Sequence, residues 1–322
     1  MTAPLLLVKR IGLTDQRGFS LRNIQFTQGQ GQHIVIAGET GSGKSTLLKI
    51  IAGLLQPDSG EVVFQGEAVK GPRETLVPGH PGIAYLPQYF ELPKFLRVEQ
   101  VLEYASKLTP REAEKIFRLC RIQHLLSRKT DELSGGERQR IALCRLLIGK
   151  PALLLLDEPY TNLDMIVKGV LKEVIQSISQ QLGITTLLVS HDPEDTLPWA
   201  DRIIILKGGK IVQQGTPHEI YFHPRSEYVA GLFGRYSVVD AKTYKALAPG
   251  GRVSGKMIVR PEQLTLRRGK WKVGVAGVVV SQRFAGHAYE LQIEVKGAVL
   301  ACVSADPTLS NGSQVTIALR KQ

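Results

Sequence analysis

Nine residues, Gly38-Glu39-Thr40-Gly41-Ser42-Gly43-Lys44-Ser45-Thr46, constrain this chain more than any other stretch of it. They stand between an apolar run, Ile34-Val35-Ile36-Ala37, that reads as a buried strand, and a helical pattern, Thr46-Leu47-Leu48-Lys49-Ile50-Ile51. A strand that turns through glycines straight into a helix is the context a phosphate-cradling loop requires. Gly38, Gly41 and Gly43 let the backbone curl so that successive N–H groups point at one anion, and the helix N-terminus adds the positive end of its dipole. In such a loop Lys44 reaches the outer phosphates of a nucleotide and the Ser45 hydroxyl holds Mg²⁺.

A second element supplies metal and base. Ala152 to Leu156 is apolar, too short to span a membrane and suited to a central parallel strand. Asp157 at its end is expected to meet Mg²⁺, largely through water. Glu158, one residue on, is expected to polarise the attacking water as general base. In isolation an Asp-Glu pair would read as a solvated strand end; downstream of a phosphate loop the catalytic reading wins.

A third element is Leu133-Ser134-Gly135-Gly136-Glu137-Arg138-Gln139-Arg140, which opens another helix continued by Ile141, Ala142, Leu143, Leu146 and Leu147. Its free N–H groups make a second anion site, so one chain carries two phosphate-binding surfaces. With this segment the sequence resembles the ATPase subunits of ATP-binding cassette (ABC) transporters. The resemblance implies that Ser134, Gly135, Gly136 and Glu137 complete the ATP site of an opposite subunit, in a head-to-tail dimer with two ATPs between phosphate loop and signature.

The smaller motifs of that family follow in order, over about residues 20 to 235. Gln88, in Tyr85-Leu86-Pro87-Gln88, matches the glutamine that contacts Mg²⁺ and senses the γ-phosphate. Thr161-Asn162-Leu163-Asp164 resembles the dimer-contact loop, which places Asp164 among the nucleotide-site residues, although the family more often has Ser-Ala where Thr161-Asn162 stand. His191, after Thr186-Leu187-Leu188-Val189-Ser190, corresponds to the histidine that grips the γ-phosphate and orients Glu158. Two positions depart from the pattern. Glu137 replaces a frequent glutamine, and the stretch around Asp15, Gln16 and Arg17 has no aromatic to stack on adenine. Phe19 is the nearest candidate, with the simpler reading of a residue beside a core strand, and Arg17 could stack through its guanidinium; the adenine contact stays unassigned.

Composition sets bounds around this site. At 322 residues and 43% hydrophobic, the chain can build one large core and a small second domain. No stretch approaches the eighteen or more apolar residues of a membrane helix. The start, Met1 to Arg10, does not read as a secretory signal. Cys120, Cys144 and Cys302 have no metal-ligand spacing and read as buried thiols in a reducing compartment. The net charge of +12 is uneven: Ser237 to Gln322 hold 13 Lys/Arg against 5 Asp/Glu, +8, and the preceding residues hold 28 against 24, +4.

Strands alternate with helices through about residue 206, as in a mostly parallel sheet. Between Gln88 and Leu133 the pattern is helical, over Glu99 to Leu108 and Pro110 to Leu126. Ile203-Ile204-Ile205-Leu206, Lys207-Gly208-Gly209-Lys210 and Ile211-Val212 read as a hairpin, and Pro217 to Phe233 as a helical segment interrupted at Pro224. Beyond Gly234, Tyr289, Leu291, Ile293 and Val295 alternate with polar partners, as do Val315, Ile317 and Leu319, which fits a small β-barrel. Ile258 to Leu264 and Phe284 to Leu291 resemble the oligomer-binding-like (TOBE) regulatory domain of importer ATPases.

The expected fold is α/β, a P-loop nucleotide hydrolase core over residues 1–235 with a helical subdomain at 89–150, followed by one small all-β OB-like domain at 236–322. The resemblance implies an ATP- and Mg²⁺-dependent ATPase of an importer, peripheral on the cytoplasmic face of the inner membrane. Its implied partners are a second copy, two integral-membrane permease subunits and, indirectly, an extracytoplasmic solute-binding protein. Apolar residues from Tyr89 to Leu96 are candidates for the docking surface, shared with the subdomain's own core. The competing readings are a soluble or exporter-type ATPase, or a C-terminal barrel that binds nucleic acid. Against them, the interval from Ser45 to Ser134 carries no heptad run, and Trp271, Phe284 and Tyr289 make a poor stacking face. No nucleic acid is expected, and the solute is not encoded here.

Overall fold

Leu153, Leu154, Leu155 and Leu156 are all fully buried, and their side chains enter two different cores. Leu154 and Leu156 pack with Val35, Leu188 and the helical subdomain, whereas Leu153 and Leu155 pack with Ile34, Ile36, Leu187 and the helix Lys44–Ile51. Successive strand residues face opposite ways, so an all-leucine run is what a strand covered on both faces needs. Each such side chain contributes about 1.5–3 kcal/mol relative to exposure.

The computed structural model describes residues 3–15, 18–104, 106, 108–248, 255–269 and 274–320, in two compact units, Met1–Pro217 and His218–Gln322. The expected boundary at 235/236 falls inside the second unit. Arg17, a candidate for stacking on adenine, and Trp271, a candidate for a nucleic-acid stacking face, lie outside the described residues, as do parts of Glu99 to Leu108.

In the first unit the central sheet runs Lys210–Gly215, Arg202–Lys207, Ile34–Ala37, Thr185–Val189, Leu153–Asp157, Ile83–Leu86. Its last five strands are parallel, and Lys210–Gly215 is the antiparallel arm of the expected hairpin. A second, antiparallel sheet, in the order Ser20–Gln28, Leu6–Thr14, Ser59–Phe64, Glu67–Ala68, adds to the strand–helix alternation read from sequence. Its inward residues, among them Leu6, Val8, Ile24, Phe26 and Phe64, share the core of Leu47 and Leu48.

The inserted helices are Val98–Glu103, Pro110–Leu119 and Gly135–Leu147. The pattern read as helical to Leu126 breaks after Cys120, where Arg121 takes φ 55°, and resumes as a single 3₁₀ turn at Gln123–Leu125. That break turns Ile122 and Leu125 into the core, where both are fully buried. Among the described residues no helix is long and apolar enough to cross a membrane.

The expected interrupted helical segment is present as Pro217–Phe222 and Glu227–Leu232, all of it past Pro217 belonging to the second unit. A two-stranded pair, Ser237–Asp240 with Lys256–Val259, precedes a five-stranded antiparallel sheet in the order Leu264–Arg268, Gln314–Leu319, Val275–Phe284, Tyr289–Val295, Ala298–Ser304. The two outer strands of that sheet also touch each other, so it curls as a small OB-like barrel does. The alternation holds at Leu291, Ile293 and Val295, which are buried between exposed Gln292 and Glu294. It does not hold in Gln314–Leu319, where Val315 to Ala318 are all buried and the helix Ala241–Leu247 lies against the strand.

Candidate active site

Four neighbouring parallel strands deliver the candidate residues to one edge of the sheet. Ile34–Ala37 leads into the phosphate loop, Ile83–Leu86 into Gln88, Leu153–Asp157 into Glu158, and Thr185–Val189 into Ser190 and His191. Carboxyl ends of parallel strands are where open α/β sheets bind their ligands.

The loop's geometry depends on glycine at two positions. Gly38 has φ 153°, and a Cβ there would stand 2.2 Å from the Leu206 carbonyl oxygen. Gly43, at φ 101°, would push a Cβ to 2.5 Å from Phe19 Cζ and 2.6 Å from Leu21 Cδ2. Phe19 therefore packs behind the loop, half-buried against the core, in agreement with its reading as a residue beside a core strand. Glu39, Thr40 and Gly41 form the exposed rim, Thr46 is half-buried, and Ser42 and Lys44 are buried at the base. The Lys44 ammonium donates to the carbonyls of Gly38 (2.8 Å) and Glu39 (2.9 Å). Burial lowers its pKa, with Glu158, Asp157 and Glu39 acting in the opposite direction.

Asp157 continues the strand face of Leu153 and Leu155, the face covered by the helix Lys44–Ile51, and this parity brings it to Ser45. The Ser45 hydroxyl donates to Asp157 Oδ1 at 3.0 Å, and the Tyr85 hydroxyl to Oδ2 at 3.0 Å. Asp157 is 2% exposed, and burial raises its pKa despite both hydrogen bonds. Among the described residues it makes no ion pair, and no cluster of three or more His, Cys, Asp or Glu side chains could hold a metal alone. A hydroxyl beside one buried carboxylate is a hard, oxygen-only donor set, which suits Mg²⁺ completed by water and substrate phosphates.

Glu158 breaks from the strand with φ 48°, its N–H bonded to Val189 O at 3.0 Å. This left-handed turn is costly for a non-glycine residue and carries the carboxylate away from Asp157. Three groups converge on Glu158 Oε2: Gln88 Nε2 at 3.3 Å, Thr161 Oγ1 at 3.1 Å and His191 Nδ1 at 3.3 Å. The His191 side chain remains 61% exposed, so its other ring nitrogen is accessible.

The signature segment is built differently. Ser134 caps the helix Gly135–Leu147: its Oγ accepts from Glu137 N–H at 3.3 Å, and Glu137 Oε2 accepts from Ser134 N–H at 2.8 Å. That backbone bond is the largest cause of Glu137's lowered pKa. Glutamate thus closes the capping box as glutamine would. Ser134 and Gly135 are exposed, and a Cβ on Gly135 would meet nothing within 4 Å. Gly136 is buried, with Val167 Cγ1 2.1 Å from where its Cβ would be. Val167 belongs to the helix Met165–Leu182, whose N-cap is Asp164. Asp164 Oδ1 accepts from the N–H groups of Ile166 (3.0 Å) and Val167 (2.9 Å), so that oxygen serves as the helix cap.

The sequence reading missed Tyr85 and Thr161 as partners of the two carboxylates. Tyr85 was legible only as part of the segment leading to Gln88, because its hydroxyl meets Asp157 across a strand pair separated widely in sequence.

The sequence matches the ABC transporter family profile over residues 21–161 and the TOBE domain profile over residues 257–322. The molybdate/tungstate import ATP-binding protein of Thermococcus kodakarensis is 35% identical over 280 residues, covering 84% of this chain and 81% of its own length. The spermidine/putrescine import ATP-binding protein of Clostridium acetobutylicum is 30% identical over 315 residues, covering 91% of this chain and 88% of its own. Among solved structures, the dimeric post-hydrolysis state of an ATP-binding cassette bound to ADP and Pi matches with a TM-score of 0.57 at 25% identity, over 66% of this chain and 98% of that one.

Proposed function

The chain belongs to the ATP-binding subunits of importer-type ABC transporters, and from that premise we propose how its residues bind and hydrolyse ATP to drive solute import. The observation that carries the reading is the convergence of Gln88, Thr161 and His191 on Glu158 beside the Lys44–Ser45–Asp157 group, at the ends of adjacent parallel strands.

The N–H groups of Gly38 to Thr46 cradle the β- and γ-phosphates. Lys44 exchanges its carbonyl partners for phosphate oxygens, which offsets the cost of its buried charge. Ser45 and Asp157, with Gln88 nearby, would hold Mg²⁺, which supplies neutralisation of charge between the β- and γ-phosphates. Glu158 accepts a proton from the water that attacks the γ-phosphorus as the bond to the ADP oxygen breaks, a contribution of about 10²–10⁴ in rate. Gln88, Thr161 and His191 hold the Glu158 carboxylate in place, and His191's outer nitrogen faces the γ-phosphate.

The exposed Ser134 and Gly135 N–H groups serve the partner copy's nucleotide, so the catalytic unit is a head-to-tail homodimer with Asp164 at the contact between copies. Residues 1–235 carry all of these groups, and 236–322 act as a regulatory domain. Tyr89 (79% exposed) and Phe95 (73%) would dock on two permease subunits at the cytoplasmic membrane surface, while Leu92 turns inward to the helical core. The two import relatives carry solutes of opposite charge at comparable identity, consistent with solute choice lying outside this chain.

Glu158→Gln tests the reading. The variant should bind Mg-ATP, lose about 10²–10⁴ in turnover and elute as a dimer in size-exclusion chromatography with Mg-ATP. Mixing Lys44→Ala with Ser134→Arg chains should restore turnover above either alone, because one heterodimer site pairs an intact loop with an intact signature. Unchanged turnover in Glu158→Gln overturns the assignment of the base, and no complementation overturns the shared site.

A further inference from the structure

Behind His191 lies a compact ionic cluster to which the catalytic reading gives no role. Lys168 Nζ is 2.5 Å from Asp192 Oδ2 and 2.8 Å from Asp195 Oδ1, and Lys172 Nζ is 2.6 Å from the same Asp195 oxygen. The Asp195 side chain is 3% exposed and that of Lys168 18%. Two lysines face two aspartates, so the cluster is neutral as a whole, the condition under which buried charge is tolerated.

Its position is what matters. Lys168 and Lys172 are four residues apart, on one face of the helix Met165–Leu182. Asp192 directly follows His191 and divides its carboxylate: Oδ1 accepts from Glu194 N–H at 2.9 Å, capping Pro193–Thr196, and Oδ2 meets Lys168. On the other side, Asp192 N–H donates to Ser190 Oγ at 3.1 Å. The backbone of His191 is thus held at both neighbours, by Lys168 from the helix Met165–Leu182 on the Asp192 side and by the Ile36 carbonyl, 3.4 Å from Ser190 N, on the other. Lys172 also lies 5.7 Å from the ring centroid of Tyr160, two residues after Glu158.

The same helix turn carries Val167, on which Gly136 of the signature segment is packed. One rigid turn therefore touches the signature on one side and the His191 loop on the other. We infer that Lys168, through Asp192, is a positioning residue that sets His191 against Glu158 and ties that placement to the signature segment. This rests on the catalytic reading above. A shift of the signature helix on meeting the partner's nucleotide would be passed by Val167 and Lys168 to the histidine of this chain's own site, an arrangement with two distinct sites and a physical element between them.

The test uses the full chain. Lys168→Met alone leaves Asp195 and Asp192 with a single lysine and could unfold. The charge-balanced Lys168→Met/Asp192→Asn pair keeps Lys172–Asp195, and asparagine still caps the short helix. For that pair, kcat for ATP should fall about tenfold with the ATP KM within about twofold of wild type, since the loss is confined to an interaction used in turnover. Lys168→Arg should retain most of the wild-type rate. In a His191→Ala background, followed under single-turnover conditions, the pair should cost nothing further, because residues acting through one another are non-additive. Wild-type kcat in the pair, an equal loss added on top of His191→Ala, or a KM increase that accounts for the whole defect would each overturn the inference. A wild-type chain that does not hydrolyse ATP would instead overturn the catalytic reading.

Discussion

Ser45 Oγ lies 3.0 Å from Asp157 Oδ1, joining the first turn of one helix to the tip of a strand 112 positions later in the chain. The carboxylate is almost completely buried, and the hydrogen bonds from Ser45 and Tyr85 offset only part of the cost of that burial.

That cost has a pH signature. Burial raises the folded pKa of Asp157, so between its ordinary value of about 3.9 and the raised value the folded state keeps a proton that the unfolded chain has lost. Stability therefore falls as pH rises through that window, and the penalty is fully present above it. Without divalent cations, Asp157→Asn should leave the thermal midpoint at pH 7 equal to or above that of wild type, and the advantage should vanish below about pH 4. Its Mg²⁺-dependent turnover should fall at least about 10²-fold. Calorimetry across pH and phosphate release check the two halves; a lower midpoint at neutral pH would contradict the burial argument.

The adjacent signature glycines should separate cleanly. Gly136→Ala drives a methyl group into the β-branched Val167 side chain and should destabilise the first unit by about 1–3 kcal/mol. Gly135→Ala meets open space and should stabilise the helix by up to about 1 kcal/mol, while lowering turnover, because in the proposed dimer the added methyl group would stand between this face and the partner's nucleotide. Denaturant unfolding beside ATPase assays distinguishes them, and a Gly135→Ala chain with full activity would remove the signature from the site.

Arg260 should be a structural clasp of the second unit. It is 1% exposed, donates through Nε to Tyr221 O at 3.0 Å and through Nη1 to the carbonyls of Gly234 and Arg235 at 3.1 Å, and stacks 4.3 Å from the Tyr221 ring centroid. Arg260→Met leaves three carbonyls without this donor and should cost about 2–4 kcal/mol. Lysine should recover little of it, since a point charge cannot reproduce the fork. Hydrogen exchange of residues 218–248 reads the effect; unchanged protection would show that the clasp is dispensable.

The local sequence alone determined the phosphate loop, the buried strand ending in Asp157-Glu158, the signature helix, and the alternation of Tyr289–Val295. Each is a short-range pattern in which residue type dictates backbone: glycine where φ is positive, apolar residues at every position of a doubly covered strand, serine at a helix start. What only the tertiary structure decided is which side chains meet across elements. Tyr85 as the partner of Asp157, the antiparallel pairing of Leu6–Thr14 with Ser59–Phe64, and Lys168 holding the residue next to His191 all arise from contacts between segments distant along the chain. No periodicity encodes these contacts, because they depend on the register of one element against another, and that register is set by the packing of the core as a whole.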